Sequence, residues 1–317
     1  MAGFLARLWW VFELASHFRL HLAIGLGGLA LPWSLKRRWR MAALCGVGAV
    51  ANAILVLLVF LPTETTESTA GTRLRLVSLN VHTENARSDL VLKFLQDTDA
   101  DVILLLEVNE RWMDAMQPLR TNYSQVLTEP REDNFGIALF SRLPLTNSEV
   151  LELGHAEVPS IATTISVGGQ QMFLLGTHPL PPGSAAYARR RNEQLQEIAA
   201  LVRHRGLPTI VLGDLNCTPW SPNFSDLLRD GGLKNASPQR GLFGSWPAWL
   251  PFGRIPLDHG LVSPNLRVLE KRLGPQVGSD HLPLILELQI PTELRVEPDA
   301  TAQAYERGVE MEQRHYP

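Results

Sequence analysis

Hydrophobic and polar positions along the 317-residue chain fall into two regimes. Up to residue 62 the apolar positions run almost unbroken. Met41–Pro62 (MAALCGVGAVANAILVLLVFLP) holds 22 residues with no formal charge and one amide, Asn52. A bilayer core of ~30 Å needs roughly 20 such residues as helix, so the segment reads as a membrane span. Leu20–Leu35 (LHLAIGLGGLALPWSL) is a shorter stretch of 16 residues without formal charge. It carries Gly25, Gly27 and Gly28, which are common where membrane helices pack, and it reads as the first arm of a hairpin. Upstream, residues 9–20 (WWVFELASHFRL) mix aromatics with Glu13, His17 and Arg19, a pattern that suits an amphipathic helix lying in the membrane interface.

After a Thr-, Ser-, Gly- and Glu-rich linker over 63–72, the pattern changes from Arg73 onward. Short β-branched runs alternate with helical periodicity, as in a soluble α/β domain. Strands are predicted over 74–81, 101–108, 135–142, 162–167, 171–178, 207–216, 257–263 and 281–290. Gly168-Gly169 joins two of them as a hairpin. Helices are predicted over 88–100 and 185–205. The tail 291–317 is polar and reads as flexible.

Composition alters this picture only when it is divided. The whole chain carries a net charge of −3. Residues 1–62 hold six basic side chains against Glu13 alone, a net +5; residues 63–290 carry −5 and the tail −3. Four of the five residues Lys36-Arg37-Arg38-Trp39-Arg40, between the two apolar arms, are basic. The positive-inside rule places this turn in the cytoplasm. The domain from Arg73 onward then faces the periplasm or the cell exterior, with the hairpin in the inner membrane. An acidic domain repels a polyanion as a whole, so nucleic acid would have to be held locally, for instance by Arg189-Arg190-Arg191 on the long helix. That triplet also suits a solvated helix face. Cys45 and Cys217, the only two cysteines, exclude a disulfide-stapled scaffold.

Candidate chemistry sits where apolar runs stop. Asn80, Glu107, His178, Asp214 with Asn216, Asp258, and Asp280 with His281 all border strands. Such convergence suggests one rim of a sheet, where α/β sites form. Carboxylate and amide oxygens suit Mg²⁺ or Mn²⁺, and His transfers protons near neutral pH. The inventory fits metal-assisted hydrolysis of a phosphoester by water.

The motifs SLNVH, LLLEVNE, NFGIALFSR, GTHP, GDLNCTP, LDHGLVS and GSDHLP, in this order over about 73–290, resemble the endonuclease/exonuclease/phosphatase superfamily. This DNase I-like group includes abasic-site endonucleases, neutral sphingomyelinases and inositol polyphosphate 5-phosphatases. The resemblance implies a four-layer sandwich: two mixed β-sheets face to face, with helices outside. It implies that Glu107 binds the metal, supported by Asn80 and Asp280. It implies that Asp214 orients or deprotonates the attacking water with Asn216 as its partner, that His281 contacts phosphate with Asp258 fixing its tautomer, and that His178 serves the phosphate or the leaving group. The base is Asp214 or His281. Asn134 and Arg142 match positions that can bind substrate. His82 stands where some members carry an acid or amide that serves a second metal. The substrate implied is a phosphoester: nucleic acid, a phospholipid headgroup or a small phosphoester. A silent module that binds a phosphorylated ligand is the reading from another class. The sequence indicates no obligate protein partner.

Overall fold

A computed structural model of the chain describes residues 2–58, 70–237 and 241–292. The last residues of the second predicted span, most of the predicted linker and the tail beyond 292 lie outside the described residues. After a short 3₁₀ turn, helices α1 (Trp10–His17), α2 (Arg19–Leu35) and α3 (Trp39–Leu58) form the N-terminal part. There follow β1 (Gly71–Asn80), α4 (Ser88–Thr98), β2 (Val102–Leu106), α5 (Glu110–Ala115), β3 (Gln125–Glu129), β4 (Ile137–Ser141), β5 (Leu145–Glu152), β6 (Pro159–Val167) and β7 (Gln170–Thr177). The chain continues through α6 (Ala185–Arg205), β8 (Thr209–Asp214), α7 (Pro222–Gly231), β9 (Lys234–Asn235), β10 (Asp258–Val262), β11 (Arg267–Leu273) and β12 (Leu284–Pro291).

The strands make two six-stranded sheets, ordered β11-β12-β1-β2-β4-β3 and β5-β6-β7-β8-β10-β9. Both are mixed. One parallel pair, β1–β2 in the first sheet and β7–β8 in the second, sits among antiparallel neighbours. Period-two alternation explains the layers. Leu74 and Leu76 of β1, Val102, Leu104 and Leu106 of β2, Met172 and Leu174 of β7, and Ile210 and Leu212 of β8 fill the space between the sheets. The opposite parity, Val77, Leu79, Ile103 and Leu105, packs on Val91, Leu95 and Trp112 of α4 and α5. On the other side Phe173, Leu175 and Val211 meet Leu195, Ile198, Phe224 and Leu227 of α6 and α7. Helix, sheet, sheet and helix make the expected sandwich. The sheets approach closely at Gly176, where an added Cβ would meet Leu104 Cδ1 at 2.5 Å. The expected hairpin is present between β6 and β7, with φ of 58° and 83° at Gly168 and Gly169, a combination that glycine adopts without strain.

The strands absent from the sequence reading, β3, β5, β9 and β11, are edge or near-edge strands. Their exposed polar positions hide the alternation that marks a strand. β5 (LTNSEVLE), the outermost strand of the second sheet, is mostly exposed.

At the N-terminus, α3 has 20 residues with a mean hydropathy of 2.3, long and apolar enough to cross a membrane. The first arm differs from expectation. α2 has 17 residues and meets α1 at a 78° bend. At 1.5 Å per residue it is about 25 Å long, short of a ~30 Å bilayer core. α2 and α3 pack on each other, and Asn52, the lone amide of the second apolar arm, accepts from Arg19 at 3.0 Å. α1 is amphipathic, but its polar face is not turned to water. Glu13, Ser16 and His17 are buried, and His17 Nδ1 lies 3.0 Å from Thr218 Oγ1.

Candidate active site

The inward-facing rows of four strands change from apolar to polar at one end of the sandwich. In β1 the row Leu74, Leu76, Ser78 ends at Asn80. In β7 the row Met172, Leu174, Gly176 leads to His178. In β8 Ile210 and Leu212 lead to Asp214, and in β10 Val262 and Gly260 lead back to Asp258. β12 runs antiparallel to β1, with Leu284 opposite Ser78, so Asp280 and His281 precede it at the same end. Glu107 follows β2, whose Leu106 lies beside Asn80. The side chains therefore gather where the hydrophobic filling between the sheets stops.

Two groups form there. In the first, His281 Nδ1 lies 2.8 Å from Asp258 Oδ2, and its Nε2 faces Asp214 Oδ2 at 3.6 Å. His178 Nε2 approaches the same Asp214 oxygen at 3.5 Å. All four side chains are buried. Asp214 Oδ1 accepts the Asn216 backbone N–H at 2.9 Å, and Asn216 Nδ2 donates to Pro179 O at 2.9 Å. Ser279 ties the segment before β12 to the end of β1, donating to Asn80 O at 2.7 Å and accepting from His281 N at 3.0 Å. Burial opposes a charge on the His281 ring, yet the Asp258 and Asp214 carboxylates outweigh it and raise its pKa to about 10. Burial raises Asp214 to about 6 against the pull of His281 and His178. Burial would also raise Asp258, but the charge and hydrogen bond of His281 hold it below the ordinary carboxylate range.

In the second group, Glu107 Oε1 accepts Asn80 Nδ2 at 2.7 Å, and its Oε2 accepts Thr83 N at 3.3 Å. Asp280 Oδ2 accepts Trp246 Nε1 at 3.0 Å. His82 lies between the two carboxylates: its Nδ1 is 3.8 Å from Glu107 Oε2 and 3.6 Å from Asp280 Oδ1. Glu107 and His82 adopt φ of 62° and 59°, the left-handed region, which non-glycine residues enter at a cost repaid by their surroundings. Glu107 Oε2 and Asp280 Oδ1 thus each face the His82 ring nitrogen, oxygen and nitrogen atoms of the kind a divalent cation takes. Among the described residues, the group whose ligand atoms all lie within 4.8 Å of one another is the buried trio Asp214, Asp258 and His281. There the Asp258–His281 hydrogen bond already engages two of the three.

The remaining predicted residues divide. Asn134 lies in an exposed turn with φ 66°. This turn is tied to the strand carrying Glu107 by Arg131 N donating to Val108 O and by Val108 N donating to Gly136 O. The next residue, Phe135, stacks 5.4 Å from His178, so Asn134 borders the site. Arg142 does not. β4 is antiparallel to β2, with Ile137 opposite Leu106 and Ser141 opposite Val102. Arg142 therefore lies at the other end of the sheet, ~17 Å along the strand. It bonds Asp99 at 2.6 Å and stacks on Tyr123 at 4.9 Å. This ion pair lies away from the strand ends where the candidate site gathers.

The long helix α6 also departs from the sequence reading. Arg189 is exposed, but Arg191 is fully buried, in phase with Ala188, Leu195, Ile198 and Val202. It pairs with Glu13 of α1 at 2.8 Å and donates to Asn216 O at 2.8 Å. Glu13 also accepts Ser221 Oγ at 2.5 Å and Asn223 Nδ2 at 2.9 Å. The loop after Asp214 is thus clasped by α1. Sequence reasoning missed this contact, whose only signal was a cation within an apolar stripe.

A model of the Endonuclease/Exonuclease/phosphatase family matches residues 77–281. A comparison with curated proteins gives no match. Solved structures of similar fold include a humanized D. rerio TDP2, 14% identical with a TM-score of 0.58, covering 69% of this chain and 99% of that one. The human Nocturnin catalytic domain with bound sulfate is 24% identical with a TM-score of 0.57, covering 70% and 96%. The beta toxin of Staphylococcus aureus is 18% identical with a TM-score of 0.50, covering 67% and 99%.

Proposed function

The chain belongs to the endonuclease/exonuclease/phosphatase family, and on that premise we propose that it is a membrane-anchored, Mg²⁺- or Mn²⁺-dependent phosphodiesterase or nuclease. The observation that carries the reading is the pairing, at one rim, of a buried Asp258–His281–Asp214 chain with the Glu107, Asp280 and His82 donors. Glu107, oriented by Asn80, and Asp280 would hold the cation, with His82 between them. A divalent ion there supplies charge that polarises the phosphoryl group and stabilises the developing negative charge.

The chain's own residues supply the rest. Asp258 accepts from Nδ1–H and so fixes the His281 ring with Nε2 turned toward Asp214. Flanked by two carboxylates, His281 is protonated at neutral pH and offers a positive donor to a phosphoryl oxygen. Asp214, raised to about 6, is ionised at neutral pH yet basic enough to take a proton from attacking water. His178, at the far side of Asp214, serves the leaving oxygen. Asn216 holds the Asp214 carboxylate through its backbone N–H, and Asn134 lies at the rim to meet substrate. Cys217 is no nucleophile: it is fully buried and its thiol is pushed up to about 12.

The membrane part of the proposal rests on the length of α3 and on the hairpin's polarity. Lys36 and Arg37 lie at the α2–α3 turn. The catalytic domain meets the opposite end, through His21 to Phe252 O and Trp220 to Leu55 O. With the basic turn in the cytoplasm, the catalytic domain lies outside the inner membrane.

The test is an assay of the full chain in detergent with Mg²⁺, Mn²⁺ or EDTA, against plasmid DNA, RNA, phospholipid vesicles and inositol phosphates. Metal-dependent hydrolysis of one class is expected, abolished by EDTA. His281→Ala and Glu107→Gln should each lose about 10²–10⁴ in rate with unchanged circular dichroism. Near-normal rates in either variant would sink the site assignment. Binding of a phosphoester without turnover would favour the silent-module reading.

A further inference from the structure

Trp246–Arg254 links the candidate site to the N-terminal helices, and it carries apolar side chains that are largely exposed among the described residues. Trp249 is 70% exposed, Leu250 43% and Phe252 95%. Burying such rings is worth on the order of 2–3 kcal/mol each, so leaving them in water is costly unless a partner covers them. The loop's inner side is firmly held. Trp246 Nε1 and Ala248 N donate to the side chain and carbonyl of Asp280, at 3.0 and 2.7 Å, and Arg254 Nε donates to Ala248 O at 3.2 Å. Its outer end touches the first turn of α2, where His21 Nε2 lies 3.1 Å from Phe252 O. The nearby end of α3 contributes Leu55 O, which accepts Trp220 Nε1 at 3.2 Å. The exposed rings therefore continue the apolar surface of the helix pair at the end nearest the catalytic domain. A tryptophan and a phenylalanine at the edge of an apolar helix surface suit the headgroup boundary of a bilayer.

We propose that Trp249, Leu250 and Phe252 insert into the phospholipid interface as a third membrane contact, one that fixes the Asp280 side of the catalytic site at the bilayer surface. The inference rests on the membrane reading of α2 and α3, and its test separates the two. Phe252→Cys, in the full chain with Cys45→Ser, is labelled with a nitroxide in phosphatidylcholine/phosphatidylglycerol nanodiscs. Its accessibility to oxygen and to a water-soluble nickel chelate is compared with labels at Leu44→Cys of α3 and Lys93→Cys of α4. Both reference side chains are exposed on the protein, so the labels need not disturb packing. The oxygen-to-nickel ratio at 252 should be several times that at 93 and approach that at 44. A ratio at 252 equal to that at 93, with 44 shielded from nickel, overturns the inference and leaves the anchor standing. Nickel access at 44 overturns the anchor and the inference together. Spin–spin broadening at 252 that disappears on dilution with unlabelled chain would make a second copy the occupant and likewise overturn it.

Discussion

Glu13→Gln should loosen the catalytic loop from a position outside the sandwich. In the native chain the Glu13 carboxylate is the one acidic partner of Arg191 among the described residues, at 2.8 Å, and both side chains are almost fully shielded. Glutamine keeps an oxygen for Ser221 or Asn223 but removes the charge. Arg191 is then a buried cation held only by Asn192 Oδ1 and Asn216 O. Removing one partner of a buried pair costs about 3–5 kcal/mol, and the surviving hydrogen bonds argue for the lower figure. About 3 kcal/mol corresponds to a ~150-fold shift toward the state in which α1 has left its seat. Cys217 reports that opening. It is fully buried beside the pair, and its thiol, pushed to about 12 by burial, should resist iodoacetamide at pH 8. With Cys45→Ser making it the sole thiol, its alkylation rate should rise about 100-fold in Glu13→Gln. The double variant Glu13→Leu/Arg191→Met, which replaces the pair by apolar side chains, should restore most of the protection. A rise below about fivefold, equivalent to ~1 kcal/mol, would refute the claim that this pair clamps the loop.

Two further outcomes follow from buried or misplaced charges. Arg142→Ala should leave hydrolysis unchanged and cost about 1 kcal/mol or less in unfolding, because its half-exposed pair with Asp99 lies at the far end of β4; a large loss of rate with a normal fold would return Arg142 to the site. His259 is buried against Phe224 and Cys217 O, and burial depresses its pKa to about 3. Its contribution is intact above the unfolded value near 6.5 and is lost as pH falls toward 3, by at most about 1.4 kcal/mol per pH unit. The denaturant midpoint should therefore fall more steeply from pH 7 to pH 5 in the native chain than in His259→Asn, and equal slopes would contradict the assignment.

The strand-end residues were legible because alternation shows where an apolar row stops. Asn80, Asp214 and Asp258 are the next inward positions of rows whose earlier members are apolar, so their sequence phase already gave their face. Which end of a strand meets the site was not legible: FGIALFSR reads the same in either direction, and only the antiparallel pairing with β2 sends Arg142 away. Arg191 fell among three consecutive arginines, two of which carry no such burial. Its place in the stripe Ala188, Leu195, Ile198 and Val202 was the available sign, but its partner Glu13 lies 178 positions away and no local pattern connects them. His82 was visible as a departure from a motif. That its ring lies between Glu107 and Asp280 required the geometry.

The pairing of β1 with β12, from Gly71 opposite Pro291 to Ser78 opposite Leu284, has a consequence for biosynthesis. Translation is vectorial, and the N-terminal helices emerge long before the strand that completes the first sheet. Until β12 leaves the ribosome, β1 keeps an open edge, and neither Asp280 nor His281 is in place. The nascent chain passes most of its synthesis with one edge of β1 unpaired, a state prone to wrong edge pairing. A stall or truncation anywhere before residue 281 leaves the candidate site without Asp280 and His281, so the site assembles only after β12 has been made.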